Sequence, residues 1–125
     1  MPAPSALHRQ GFKVALVERG GRPPAFDPAG YDLRVYALAQ HSMRLLQSLG
    51  VWDEIRAARI SPYSAMRVWE RGPEHALRFD ASDTGRGELG WIVEHGLVVD
   101  ALWRHLDGIT LHPRSAIESA RFGED

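Results

Sequence analysis

The sequence predicts an α/β fold with parallel strands, and three features carry that prediction. In FKVALVE, the residues Val14, Ala15, Leu16 and Val17 do not alternate with polar ones, the pattern of a strand buried on both faces of a parallel sheet. YDLRVYALAQHSMRLLQSLGVWDEI places Leu38, Ser42, Leu45, Leu46 and Leu49 on one stripe at helical spacing, with Gly50 as its stop. LVVDALWRHLDG repeats the helical pattern between two strand-like runs, ELGWIVEHG and ITLHP, so strands and helices alternate along the chain.

The remaining elements follow in order. SALHRQG reads as the end of a helix, because Gly11 stands where a left-handed cap is wanted and Arg9 suits a helix C-terminus. RGGRPPAFDPAG is a loop, since its prolines and glycines sustain neither a ladder nor a helix. A short helix is expected from Asp53 as its N-cap. AMRVWERG and HALRFDASD alternate like strands and are joined by Gly72 and Pro73, which predicts an antiparallel hairpin. Gly108 is expected to cap the last helix, and ITLHPRSAIESARF to form a strand, a Pro-Arg turn and the start of a further strand.

Composition bounds the function. The chain has 125 residues, 44% hydrophobic and 25% charged, which suits one globular domain with a real core. Its 15 basic and 16 acidic side chains are spread without blocks, so no basic face is available for a phosphate backbone and nucleic acid is not an expected partner. The absence of cysteine excludes a disulfide framework and thiolate metal sites, and fits a reducing, cytoplasmic setting. MPAPSALHRQ carries no apolar core of signal-peptide length, and no run approaches the roughly 18 residues that span a bilayer.

Catalytic patterns are sparse. His8, His41, His75, His95, His105 and His112 never fall at i and i+4 on a common helix, so no metal site is expected. Neither G-x-S-x-G nor G-x-x-x-x-G-K occurs, and no residue declares itself a catalytic group. Trp52, Trp69, Trp91 and Trp103 each lie in or beside an apolar pattern, which points to packing. Glu18, at the end of its strand, is the residue type that accepts hydrogen bonds from the ribose hydroxyls of an adenine dinucleotide. A solvated glutamate at a strand end is the competing reading, and no G-x-G-x-x-G is present to decide between them.

The runs GFKVALVE, DLRVYALAQHSMRLLQSLGVWDEI, MRVWE, LRFDA and LGWIVEHGLVVDAL, in this order and spacing, resemble the FAD-dependent aromatic hydroxylases of ubiquinone biosynthesis, within the class A flavin monooxygenases. The resemblance runs from Gly11 to about Arg121, and its most specific piece is D-L-R followed by a leucine-rich helix and L-G-V-W. It implies a partial Rossmann-like FAD-binding domain of the para-hydroxybenzoate hydroxylase type, with an antiparallel β-hairpin insertion and without the first βα element. On that view residues 1–125 are an incomplete, N-terminally truncated FAD-binding domain, with strands from about 68–95 belonging to the substrate-side sheet.

The resemblance also implies site residues. Glu18 corresponds to the acidic residue at the adenosine ribose. Arg34 corresponds to the arginine that opens the helix after the proline-rich loop and reaches toward the flavin's pyrophosphate and ribityl region. Glu94 lies where the family has Glu-Asn near the flavin edge, with His95 here in place of the Asn. FAD is the implied cofactor and NAD(P)H the electron donor. An aromatic or polyprenyl phenol is the implied substrate, acted on at the inner-membrane surface by peripheral contact, although no basic amphipathic helix with a large apolar face stands out. Loss of the first strand would expose the Val14–Val17 edge and favour self-association. Activity alone is then not expected. Two alternatives stay open: a non-catalytic remnant or interaction module that binds no flavin, and a geranylgeranyl-type reductase, which L-G-V-W and V-W-E fit less well.

Overall fold

The computed structural model describes residues 2–70 and 72–123. Helix α1 (Pro2–Arg9) ends as its sequence requires. Gly11 takes φ 90°, its N–H donates to the His8 carbonyl, and Phe12 N–H reaches back to Leu7. The chain then enters β1 (Ala15–Glu18), which pairs in parallel with β7 (Thr110–Pro113), Ala15 opposite Thr110 and Glu18 opposite Pro113. The parallel pairing is as expected, but burial on both faces is not found. Val14 and Leu16 pack on a cluster of Trp103, Leu106 and Ile109, whereas Ala15 is exposed. Among the described residues β1 has β7 as its sole strand neighbour, and that cluster covers one side.

The leucine-rich segment is not one helix. Residues Val35–Ala39 form β2, and α2 occupies Gln40–Ser48. Strand β2 pairs antiparallel with β6 (Gly90–Glu94), whose other edge pairs with β3 (Ser61–Tyr63), an element the sequence did not announce. The helical stripe misled because Leu38 satisfies it while lying in the ladder opposite Trp91. Val35 and Tyr36 are strand formers, and an available edge of β6 decides the matter. Of the stripe, Leu46 and Leu49 are buried and Leu45 faces solvent. Gly50, at φ 79°, ends α2 as expected, with Val51 N–H donating to the Leu46 carbonyl. Helix α3 (Trp52–Ala58) is capped by Val51, so Asp53 lies in its first turn beside Glu54 and not at the cap.

These elements enclose the core. Leu46, Leu49, Val51, Trp52, Ile55, Trp91, Val93 and Leu97 form one buried cluster with the inner face of α4 (His95–Arg104). Trp52 and Trp91 meet edge to face at 5.3 Å. The packing role expected of the tryptophans holds for these two and for Trp103, but Trp69 is exposed. Helix α4 ends at Arg104, before the expected Gly108, whose φ of 78° instead turns the chain into β7. After Pro113 the expected Pro-Arg turn is present, but 116–123 form no strand. Those residues are exposed and have no strand partner, and an unpaired strand is not stable alone.

The hairpin forms as predicted, from β4 (Ala65–Val68) and β5 (Leu77–Asp80). Its exit is fixed by Asp80, which accepts hydrogen bonds from the Ser82 hydroxyl and N–H and from Arg78. The Ser82 hydroxyl, then its N–H, then Arg78 hold the Asp80 carboxyl down at about 2. Because this lies below the ordinary 3.8, the turn's stabilisation is complete above the ordinary value and is lost as pH falls through about 2. Carboxyl-carbon NMR titration is expected to show this, and Ser82→Ala to move the Asp80 midpoint up toward 3.8. A midpoint unmoved by Ser82→Ala would remove Ser82 as the cause.

Candidate functional site

The carboxyl end of β1 opens onto a groove built from the loop that follows β1 and from the first turns of α4. Two adjoining cavities of about 330 and 400 Å³ make it up, sharing Pro23, Pro24, His95 and Val99. Glu18, Gly20 and Gly21 line one end; Phe26, Tyr31, Asp32 and Glu94 line the other.

Glu18 is half-buried at the last position of β1. One carboxylate oxygen accepts the Gly20 N–H at 2.9 Å, which orients the group as the chain turns. Its second oxygen has no hydrogen bond among the described residues. The site therefore presents an oriented, unsaturated acceptor at the C-terminal end of a parallel strand, the position where α/β sheets bind ligands.

Glu94 ends β6 and is buried, with 8% of its surface exposed. A carboxylate at such a depth needs partners, and it has two. One oxygen accepts the Asp32 N–H at 3.0 Å, and the other pairs with Arg59 at 2.6 Å. Arg59 continues to the carbonyls of Gly30 and Pro28 at 2.8 and 2.5 Å, and its guanidinium lies 4.4 Å from the centre of the Tyr31 ring. Asp32 completes the fastening: its carboxylate accepts Arg34 N–H and Gly96 N–H, both at 2.9 Å. Those backbone donors, Arg34 first, hold its carboxyl below the ordinary carboxylate range. Residues 28–34, which form the outer wall of the groove, are thus tied to β6, to Arg59 at the end of α3 and to the start of α4. His95 packs edge-on against Tyr36 at 5.4 Å, with Nδ1 hydrogen-bonded to the Tyr36 hydroxyl.

The sequence-derived residues separate here. Glu18 and Glu94 line the two ends of one groove. Arg34 lines neither cavity and does not open a helix. It precedes β2, its carbonyl accepts His95 N–H at 2.9 Å, and its side chain is exposed. The correction has the same cause as the misread helix, namely that the edge of β6 recruits 35–39 into a ladder. Arg59 went unnoticed in the sequence because its partners lie 29 to 35 positions away and no local pattern connects them. Asp32 was visible only as part of D-L-R.

The carboxyl end of a parallel strand, an acceptor carboxylate and a proline-walled groove thus stand together in a mixed α/β fold. No protein-family model matches the chain. Among curated proteins it is 34% identical over 108 residues to 3-demethoxyubiquinol 3-hydroxylase of Escherichia coli K12, covering 86% of this chain and 27% of that protein. It is 36% identical over 107 residues to the mitochondrial ubiquinone biosynthesis monooxygenase COQ6 of Xenopus tropicalis, covering 84% and 22%. It is 33% identical over 101 residues to ubiquinone hydroxylase UbiL of Rhodospirillum rubrum, covering 81% and 23%. The chain is a homologue of the ubiquinone-biosynthesis monooxygenases, and spans about a quarter of the length of these relatives. No helix among the described residues is long and apolar enough to cross a membrane.

Proposed function

We propose that this chain forms one wall of the cofactor site of an FAD-dependent monooxygenase that hydroxylates the aromatic ring of a ubiquinone-pathway phenol. The observation that carries the reading is Glu18: a carboxylate at the carboxyl end of a parallel strand, oriented by the Gly20 N–H, with one oxygen open to the groove. The donor set fits the adenosine end of the cofactor, because ribose hydroxyls donate and an oriented carboxylate accepts. FAD when bound supplies the redox and oxygen chemistry, with NAD(P)H as the electron source.

The chain's own residues then have distinct tasks. Glu18 holds the ribose, Pro23 and Pro24 exclude water from the groove, and the Arg59–Glu94–Asp32 fastening keeps the far wall in place. Glu94 acts through that wall, and Arg34 supplies an exposed cation beside it for an anionic part of the cofactor. Strands within about 68–95 are assigned to the substrate side, and contact with a membrane surface follows from a polyprenylated substrate. Self-association through the free edge of β1 belongs to the same proposal.

Titration of FAD against the chain, followed by flavin fluorescence quenching, tests the reading. Saturable quenching is expected, weakened about tenfold to a hundredfold by Glu18→Ala, the effect of a lost hydrogen bond to a charged group. Unchanged affinity in Glu18→Ala would overturn it. A second reading, an interaction module without flavin, is favoured by the hairpin, which leaves Met66, Val68, Leu77 and Phe79 exposed together with the neighbouring Trp69. A folded chain with no FAD quenching selects that reading.

A further inference from the structure

Of the four residues that the two cavities of the groove share, Pro23, Pro24 and Val99 are apolar, and His95 alone carries a polar side chain. His95 opens α4 directly after Glu94, and its ring is held by a residue far away in the chain. Tyr36 stands opposite Val93 in the β2–β6 ladder, which brings its hydroxyl to His95 Nδ1, the two rings meeting edge-on at 73°. Tyr36 lines neither cavity, so Nδ1 is spent outside the groove and Nε2 is the polar side-chain atom left to it. Among the described residues Nε2 has no hydrogen-bond partner. The neighbouring carboxylates are already taken up, Asp32 by the N–H groups of Arg34 and Gly96, and Glu94 by Asp32 N–H and Arg59.

A neutral imidazole has one donor and one acceptor nitrogen, and the hydrogen bond made at one of them decides which is which. Between a phenol and a neutral imidazole the phenol is the better acid and the ring nitrogen the better base, so Tyr36 donates, Nδ1 accepts and the ring proton resides on Nε2. We infer that Tyr36 is a positioning residue that fixes His95 as a hydrogen-bond donor where the two halves of the groove meet, and that the ligand held at Glu18 presents an acceptor oxygen or ring nitrogen there. An imidazole locked in one tautomer and one orientation loses little further freedom on binding, which is what makes such a donor selective. The inference rests on the reading of the groove as a cofactor site and adds the chain's own means of orienting the middle of that ligand.

Nitrogen-15 NMR of the His95 ring in the full chain, at mildly alkaline pH and without ligand, tests the positioning. The expected state is a protonated Nε2 with a bare Nδ1, turning into a mixture of both tautomers in Tyr36→Phe, which keeps the edge-on ring but loses the hydroxyl. A ring already mixed, or protonated at Nδ1, in the unaltered chain would overturn the inference, and that result needs no substitution at His95. Quenching of FAD fluorescence tests the contact: affinity is expected to fall about tenfold in His95→Phe and about threefold in Tyr36→Phe, the range of one hydrogen bond. In a His95→Asn background, where an amide donates without help from the phenol, Tyr36→Phe should have no effect. A loss as large there as in the unaltered chain would show that Tyr36 does not act through His95. Glu18→Ala run in parallel separates the two claims. If it weakens FAD while His95→Phe does not, this inference alone fails; if neither variant changes the affinity, or the unaltered chain does not quench FAD, the cofactor reading fails and the inference with it.

Discussion

Gly90→Ala is expected to be the most destabilising single-methyl change in the protein. Gly90 opens β6, the central strand of its sheet, with Ala39 of β2 opposite it on one side and Tyr63 of β3 on the other. A Cβ there would run into the Leu38 carbonyl oxygen and lie 2.8 Å from the Tyr63 hydroxyl. The first obstacle is backbone already committed to the ladder, so it cannot rotate away as a side-chain tip would. Relief requires separating β2 from β6, which also moves Trp91 and its contact with Trp52. The expected cost is about 3 kcal/mol, the upper part of the usual range for overpacking and a large share of a typical domain's stability. Thermal denaturation would read this as a fall of roughly 15 °C for a chain of this size. Gly87→Ala is the control, because a Cβ at Gly87 meets nothing within 4 Å. Equal midpoints for the two variants would mean that β2 and β3 do not close on Gly90 as described.

The second large effect is expected from Arg59→Ala. Glu94 is buried, and its pairing with Arg59 at 2.6 Å is its charge compensation. Removing the arginine leaves a carboxylate with one backbone donor, that of Asp32, and frees the Pro28 and Gly30 carbonyls. Breaking such a pair costs about 3 kcal/mol, because the stranded charge must stay buried or take up a proton. Arg59→Lys should recover only part of this, since an ammonium cannot span Glu94 and both carbonyls with one planar fork. In a double-mutant cycle, Arg59→Ala with Glu94→Ala should cost clearly less than the two single losses added, as neighbouring partners do. Strict additivity would show that the pair does not act as a unit. The damage should also be local: amide exchange at Asp32 and Gly96 should accelerate in Arg59→Ala before global unfolding does, because both amides belong to the network that Arg59 anchors.

These two residues illustrate how unevenly the sequence disclosed its structure. The hairpin, strand β6, helix α4 and the Gly11 and Gly50 stops were readable because local pattern and local turn chemistry carry them. The resemblance to ubiquinone-pathway hydroxylases was readable from the ordered runs, and the homology of about a third identity over most of the chain bears it out. Strand β2 was read as helix since Leu38, Ser42 and Leu45 satisfy helical spacing, and nothing local shows that β6 will offer an edge to residues 35–39. Strand β3 was missed because Ser-Pro-Tyr has no strand periodicity of its own and exists by pairing with 90–92.

The site divides along the same line. Glu18 could be singled out from its strand alone, since a carboxylate closing an apolar run is a local event. Glu94 could be singled out by resemblance, but what it does could not: its partners are Arg59 and Asp32, brought together by α3, the proline-rich loop and β6. Arg34 was given a helix start that the sheet denies it. His95 was visible beside Glu94, but the Tyr36 hydroxyl that holds its ring lies 59 positions away and reaches it once β2 pairs with β6. The sequence determined what is settled within a few residues, namely apolar runs, glycine stops, the hairpin and the acceptor at the end of β1. The tertiary structure decided which segments share an edge and which charges share a partner, because those energies arise between groups tens of residues apart and leave no trace in local pattern.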